Sequence, residues 1–214
     1  MATVDQQTAS TVSSPPALEP LPYRQRCPGG EAGSRWKFDV ADYYKMAEVG
    51  ILRQDDRVEL IDGDIVLMSP IGRFHASVTV RLSTLFFRTL GDRATVSPGH
   101  PVHLNQNTEP QPDLQLLRPR DDYYQSRHPT PDDVFLLVEV MDSSAPFDRG
   151  KKLALYARAE VSEVWLVDVN RQIVEVCRRP VEGVYTDRRE FPRGQGVTPE
   201  AFPDVVVGVD DILG

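Results

Sequence analysis

QPDLQLL (111–117), FLLVEVMDSS (135–144), DRGKKLALYA (148–157) and VWLVD (164–168) follow one another through the middle of the chain. Three of these runs are apolar enough to be strands covered on both faces, and the third in order has the spacing of a helix. The order strand, helix, strand predicts that the Glu139 and Asp168 strands lie parallel, joined by a right-handed crossover. Carboxylates stand in or beside these runs at Asp113, Glu139 and Asp168, and Lys151 and Lys152 lie on the intervening helix. An unpaired charge in such a strand costs several kcal/mol unless a cation meets it. A metal ion, a basic side chain, or both are the expected partners.

Outward from this segment, Asp39 is a candidate N-cap for a helix through ADYYKMAEVG (41–50), with Asp42 completing an imperfect capping box and Gly50 ending it. RVELIDGDIVLMSP (57–70) reads as a hairpin turning at Asp62–Gly63, because both central residues of a type I′ turn need positive φ. Glu59 falls on its first strand. In HASVTVRLSTLFFRTLG (75–91), Val78, Leu82, Leu85, Phe86 and Leu90 recur at helical spacing before Gly91. ATVSP and PVHL are expected as short strands, Pro146 to Glu160 as a helix capped by Ser143 or Ser144, and QIVEVCRR and GVYTDRREF as an antiparallel meander. AFPDVVVGVDDIL (201–213) is expected to close an edge of the sheet. Residues 1–34, rich in Thr, Ser, Gln, Pro and Gly, predict a disordered tail. Residues 35–214 predict one domain.

The chain has 214 residues, with 40% hydrophobic and 26% charged residues, a composition ordinary for one soluble domain. Its two cysteines, Cys27 and Cys177, have no metal-knuckle spacing and form no disulfide framework. No apolar run approaches the roughly 18 residues of a membrane span, and no signal pattern opens the chain, so a cytoplasmic location and no membrane partner are expected. A net charge of −8 argues against a protein that coats nucleic acid, although a carboxylate-lined cleft would itself lower the total.

Pro112 cannot donate to a ladder, which puts Asp113 at the opening of its strand, within reach of a cleft. Glu139 lies between Val138 and Val140. Two hard oxygen ligands on neighbouring strands, with a strand carbonyl and waters, suit Mg²⁺ or Mn²⁺, and such an ion supports phosphodiester hydrolysis by water. Lys152 could offset transition-state charge; equally, Asp148 and Lys152, four apart, could form a surface ion pair. Glu59 could join the cluster or face Arg57. His75, at the head of the long helix, could touch a substrate phosphate or pack, and Arg73, Arg81, Arg149 and Lys151 could flank a cleft. His100, His103 and His128 read as structural or surface residues.

The succession ELIDGDIVLMSP, a histidine heading an amphipathic helix, QPDLQLL, FLLVEV, KLALYA and VSEVWLVD resembles the Uma-type family of restriction endonucleases, within the PD-(D/E)XK nuclease superfamily. The resemblance spans about Phe38 to Leu213. It implies a restriction-endonuclease-like α/β core, a mixed central sheet flanked by helices, with Mg²⁺ as cofactor, DNA as substrate, and Asp113 and Glu139 as the motif carboxylates holding the metal. The superfamily lysine would stand at Met141; the resemblance instead points to Lys152 as its replacement and brings Glu59 into the catalytic set. His75 and Lys151 are the residues expected on the substrate. The broken linear motif and the acidic total leave a catalytically inactive binding or assembly module as the alternative. A homodimer would let two sites address two strands. A family-like A-G-V helix end reads Ala159–Glu160–Val161 here, a loss of glycine at a left-handed position expected to cost about 1 kcal/mol.

Overall fold

Apolar strand runs bounded by turn chemistry build the central sheet, and its two faces are covered by different helices. The computed structural model describes residues 35–53, 55–142 and 147–214. The expected tail, Cys27, Ser143 and Ser144 lie outside these residues. Trp36–Gly214 form one compact unit.

Helix α1 (Val40–Glu48) begins at Asp39, whose carboxylate accepts a hydrogen bond from the Asp42 amide at 2.8 Å, while the Asp42 carboxylate accepts from the Asp39 amide at 3.3 Å. The capping box is thus complete. Strands β1 (Val58–Ile61) and β2 (Asp64–Leu67) pair antiparallel around Asp62 (φ 49°) and Gly63 (φ 75°). Gly63 is required twice over, since a Cβ there would also come within 2.8 Å of the Lys37 Cβ. Helix α2 (Arg73–Leu90) buries Val78, Leu82, Phe86 and Leu90 and ends at Gly91.

The main sheet has six strands in the order β3 (Thr95–Pro98), β4 (Leu114–Leu117), β5 (Val134–Met141), β6 (Glu163–Asp168), β7 (Ile173–Val181) and β8 (Val184–Pro192). Only β5 and β6 pair in parallel; the other neighbours are antiparallel. Leu136, Val138 and Val140 of β5 face the core under α2, whereas Leu137 and Met141 face the core under α3 (Leu153–Arg158). The period of two therefore sends Glu139 and Met141 to the α3 side. No helix among the described residues is long and apolar enough to cross a membrane. Cys177 is buried on β7, and burial pushes its thiol up to about 12, so it behaves as a core residue.

Three expectations need correction. PVHL is not a strand: Val102 donates to the Pro110 carbonyl and His103 to that of Pro129, so the segment is held as irregular chain between two loops. The C-terminal run does not close the sheet. Its β10 (Val207–Gly208) pairs with β9 (Gly196–Val197) as a separate two-stranded sheet, and α4 (Val209–Leu213) packs on α2, because Val209 and Ile212 belong to the α2-side core. The crossover is not one regular helix either; Asp148–Lys152 form a π-helical turn that runs into α3.

The end of α3 is a Schellman motif. The Glu160 amide donates to the Ala157 carbonyl and that of Val161 to Tyr156, with Glu160 at φ 61°. Glu160→Gly removes the left-handed strain and is expected to raise stability by about 1 kcal/mol, read as a higher urea midpoint at unchanged slope. An unchanged or lower midpoint would show that the Glu160 side chain contributes more than its backbone costs.

Candidate active site

A pocket of about 380 Å³ opens where the β1–β2 hairpin, the start of α2, the ends of β4 and β5, and the π turn meet. It gathers Asp113, Glu139, Lys152, Glu59 and His75, all anticipated from sequence, together with Asp142, Asp148 and Arg57. Lys151, expected on the substrate, is half-buried on the π turn and is not among the pocket's lining residues. Asp168 lies at the far end of β6, outside the pocket, as do Arg73, Arg81 and Arg149.

Register places the two strand carboxylates side by side. Leu114 pairs with Val138, which sets Asp113, one residue earlier, beside Glu139. The Asp113 Oδ2 accepts the Val140 amide at 2.7 Å, so the side chain extends the ladder past the strand's last backbone pair. Its Oδ1 meets His75 Nε2 at 2.9 Å. Burial acts to lower the His75 pKa, but the hydrogen bond and charge of Asp113, reinforced by Asp142 and Asp148, raise it on balance. His75 Nδ1 is buried with no hydrogen-bond partner among the described residues.

Glu139 is 2% exposed. Its Oε1 accepts the Tyr156 hydroxyl at 2.5 Å and lies 3.3 Å from Lys152 Nζ. Burial, and then the nearby Asp148 and Asp113 carboxylates, push its pKa well above the usual range despite the lysine and tyrosine. Lys152 Nζ also lies 3.2 Å from Glu59 and 3.9 Å from Asp148, and Glu59 accepts the Gln111 amide. Burial favours discharge of this ammonium, but Glu139, Glu59, Asp148 and Asp113 more than offset it, and its pKa is held above the ordinary lysine value. The two readings of Lys152 are therefore not exclusive: its pairing with Asp148 is real, buried, and part of the same cluster.

The π turn explains how Lys152 arrives. An extra residue in the helical turn widens it, a feature common at functional sites, and both Asp148 and Lys152 project into the interior. Arg149 anchors the turn from the other side, bridging Glu175 on β7 and Asp168 at 3.2 Å. Met141, where a superfamily lysine would stand, is fully buried in the α3-side core. A lysine there would have to displace apolar packing, whereas Lys152 reaches Glu139 from above the same face.

The role of Tyr156 is not among the expectations from sequence. The available signal was a tyrosine one turn past Lys152 on a buried stripe, since a buried hydroxyl needs a partner. Asp142 in the pocket lining is likewise not among those expectations.

The donor set suits a hard divalent cation. Glu59, Asp113, Glu139, Asp142 and Asp148 line one pocket against Arg57, His75 and Lys152, an excess of negative charge. Among the described residues no three His, Cys, Asp or Glu side chains are grouped as a ready-made metal cage. Mg²⁺ does not require one, because it keeps several waters and takes one or two carboxylates.

The six-stranded mixed sheet, with Asp113 and Glu139 side by side on adjacent strands and Lys152 buried against them, makes this an α/β fold with one acidic cleft. The model of the Uma2 family, described as "Putative restriction endonuclease", matches residues 40–210, and the chain belongs to that family. Its fold is similar to the crystal structure of "a putative nuclease belonging to DUF820" from Anabaena variabilis, with a TM-score of 0.60 and 14% identity over 78% of this chain and 96% of that one. No curated protein matches the chain.

Lys152→Met leaves the surrounding carboxylates without their central cation. It is expected to cost about 3–5 kcal/mol in chelator, and millimolar Mn²⁺ is expected to restore part of the loss by binding the folded state. Thermal denaturation of the variant with and without metal reads both effects. A variant as stable as the parent in chelator would mean that Lys152 is not the charge that holds the cluster together.

Proposed function

We propose that this chain is a metal-dependent endonuclease that hydrolyses DNA phosphodiester bonds with water. The observation that carries the reading is Lys152, buried between Glu59 and Glu139 beside Asp113 in a pocket with excess negative charge. Membership of a family described as restriction endonucleases supports it.

Asp113 and Glu139 are the residues that would hold Mg²⁺, or Mn²⁺ in its place. Bound there, the ion would polarise a phosphoryl oxygen and lower the pKa of a water molecule. In the hydrolysis one P–O bond forms to water and one breaks. Lys152 stands ready to offset the negative charge that grows on the phosphoryl oxygens, and its burial strengthens that effect. Glu59 fixes the ammonium by sharing it with Glu139. Tyr156 fixes the Glu139 carboxylate, and the Val140 amide fixes that of Asp113. His75 holds the second Asp113 oxygen and lines the same pocket, which supports its expected contact with a substrate phosphate.

A second reading, a nuclease-fold module without catalysis, rests on a specific feature: Lys152 and His75 already satisfy Glu139 and Asp113. The two readings diverge on metal. Under the first, Mn²⁺ raises the melting temperature and purified protein nicks plasmid DNA. Asp113→Ala abolishes nicking, and Lys152→Met lowers its rate by roughly 10²–10³-fold. Nicking that persists in Asp113→Ala or in excess chelator refutes the assignment. No melting shift and no nicking favour the inactive module.

A further inference from the structure

The pocket has a second wall that hydrolysis of a phosphodiester does not require. β2 and the loop into α2 contribute Val66, Leu67, Met68, Pro70 and Ile71 to the same lining that carries the carboxylates. These are not core residues that happen to graze a cavity. Leu67 is 82% exposed and Ile71 55%, with Phe74 at 61% a turn beyond, its ring under the Arg73 guanidinium at 4.9 Å. So much apolar surface at the mouth of a charged cleft marks a contact surface.

Charge narrows what that contact is. Proteins that hold duplex DNA draw most of their affinity from lysines and arginines on successive phosphates. Among the described residues the lining offers one arginine, Arg57, and one lysine, which is bound up with Glu59 and Glu139, in a chain of net charge −8. Phosphate contacts alone would hold a duplex weakly. In an intact duplex the base faces are stacked on one another, so the protein meets only phosphates, sugars and base edges. An apolar wall gains nothing from those groups. It gains from a base whose face is free, because packing that face against aliphatic side chains removes apolar surface from water whatever the base. The pocket, about 380 Å³, lies within the roughly 300–1,000 Å³ range of sites that enclose a small organic ligand, which is the size class of one nucleotide rather than of a duplex turn.

We propose that the cleft takes an unpaired nucleotide, in single-stranded or bulged DNA, with its base against Leu67, Met68 and Ile71 and its phosphodiester at Asp113 and Glu139. This rests on the nuclease reading for what happens at the phosphate, but the base contact is a separate property. Sequence preference is weak on such a wall, since it carries no array of donors and acceptors to read a base edge.

The test uses the full chain with Ca²⁺, a hard cation for the same carboxylates, in place of Mn²⁺, and one fluorescein-labelled oligonucleotide offered as single strand, perfect duplex, and duplex with an unpaired bulge. Fluorescence anisotropy at one fixed salt concentration should give single-stranded and bulged forms about 10-fold tighter binding or more than duplex. Leu67→Ser with Ile71→Ser should bring that ratio close to one at unchanged melting temperature, and Leu67→Met with Ile71→Leu should keep it. Equal affinity for duplex and bulge, or a ratio that survives the serine substitutions, overturns the inference and leaves hydrolysis standing if Mn²⁺ still supports nicking. A clear preference for unpaired DNA without cleavage in Mn²⁺ retains the inference and removes the nuclease reading. Failure to bind any of the three forms overturns the inference, and the nuclease reading then stands or falls on nicking in Mn²⁺.

Discussion

One buried ammonium organises the site. Lys152 is the cation toward which Glu59, Glu139 and Asp148 converge, and each of those carboxylates is nearly inaccessible to water. Taking such charges out of water costs several kcal/mol per ion, which an isolated pair barely recovers. Replacement by apolar side chains would build an equally good core. A polar cluster kept at that cost, open on one side to a pocket, is better explained by chemistry than by stability.

Everything around the cluster limits its freedom. The parallel β5–β6 pairing requires a crossover, and the crossover delivers the π turn above Glu139. Arg149 ties that turn to Glu175 and Asp168, so a residue at the end of β6, paired with Met141 but outside the pocket lining, still helps determine where Lys152 points. The hairpin brings Glu59 to the same ammonium, and the Gln111 amide fixes that carboxylate just before β4 begins. Asp113 completes the β4 edge by accepting from Val140, and the site is therefore continuous with the sheet's own hydrogen bonding.

Local physics explains which parts were legible in the sequence. The Asp62–Gly63 turn, the Asp39–Asp42 capping box and the buried stripe of α2 are set by neighbouring residues, and they stand where the pattern puts them. The placement of Asp113 beside Glu139 also followed from two strand runs and a proline. Lys152 was not fixed by spacing, since a helix surface pair with Asp148 fitted equally well; the family resemblance, not periodicity, favoured it. PVHL has strand composition but its partners come from distant loops, and the C-terminal valines pair with β9 rather than the sheet edge. The π turn had no signal at all, because one extra residue in a helix leaves the apolar spacing of Leu153, Tyr156 and Ala157 intact.

The most direct measurement is anomalous scattering from crystals of the full chain grown with Mn²⁺. The charge arrangement predicts one strong peak within coordinating distance of both Asp113 and Glu139, with Lys152 Nζ still held by Glu59. Saturating Mn²⁺ with no peak there, and Glu139 still bound only to Lys152 and Tyr156, would contradict a metal-dependent site.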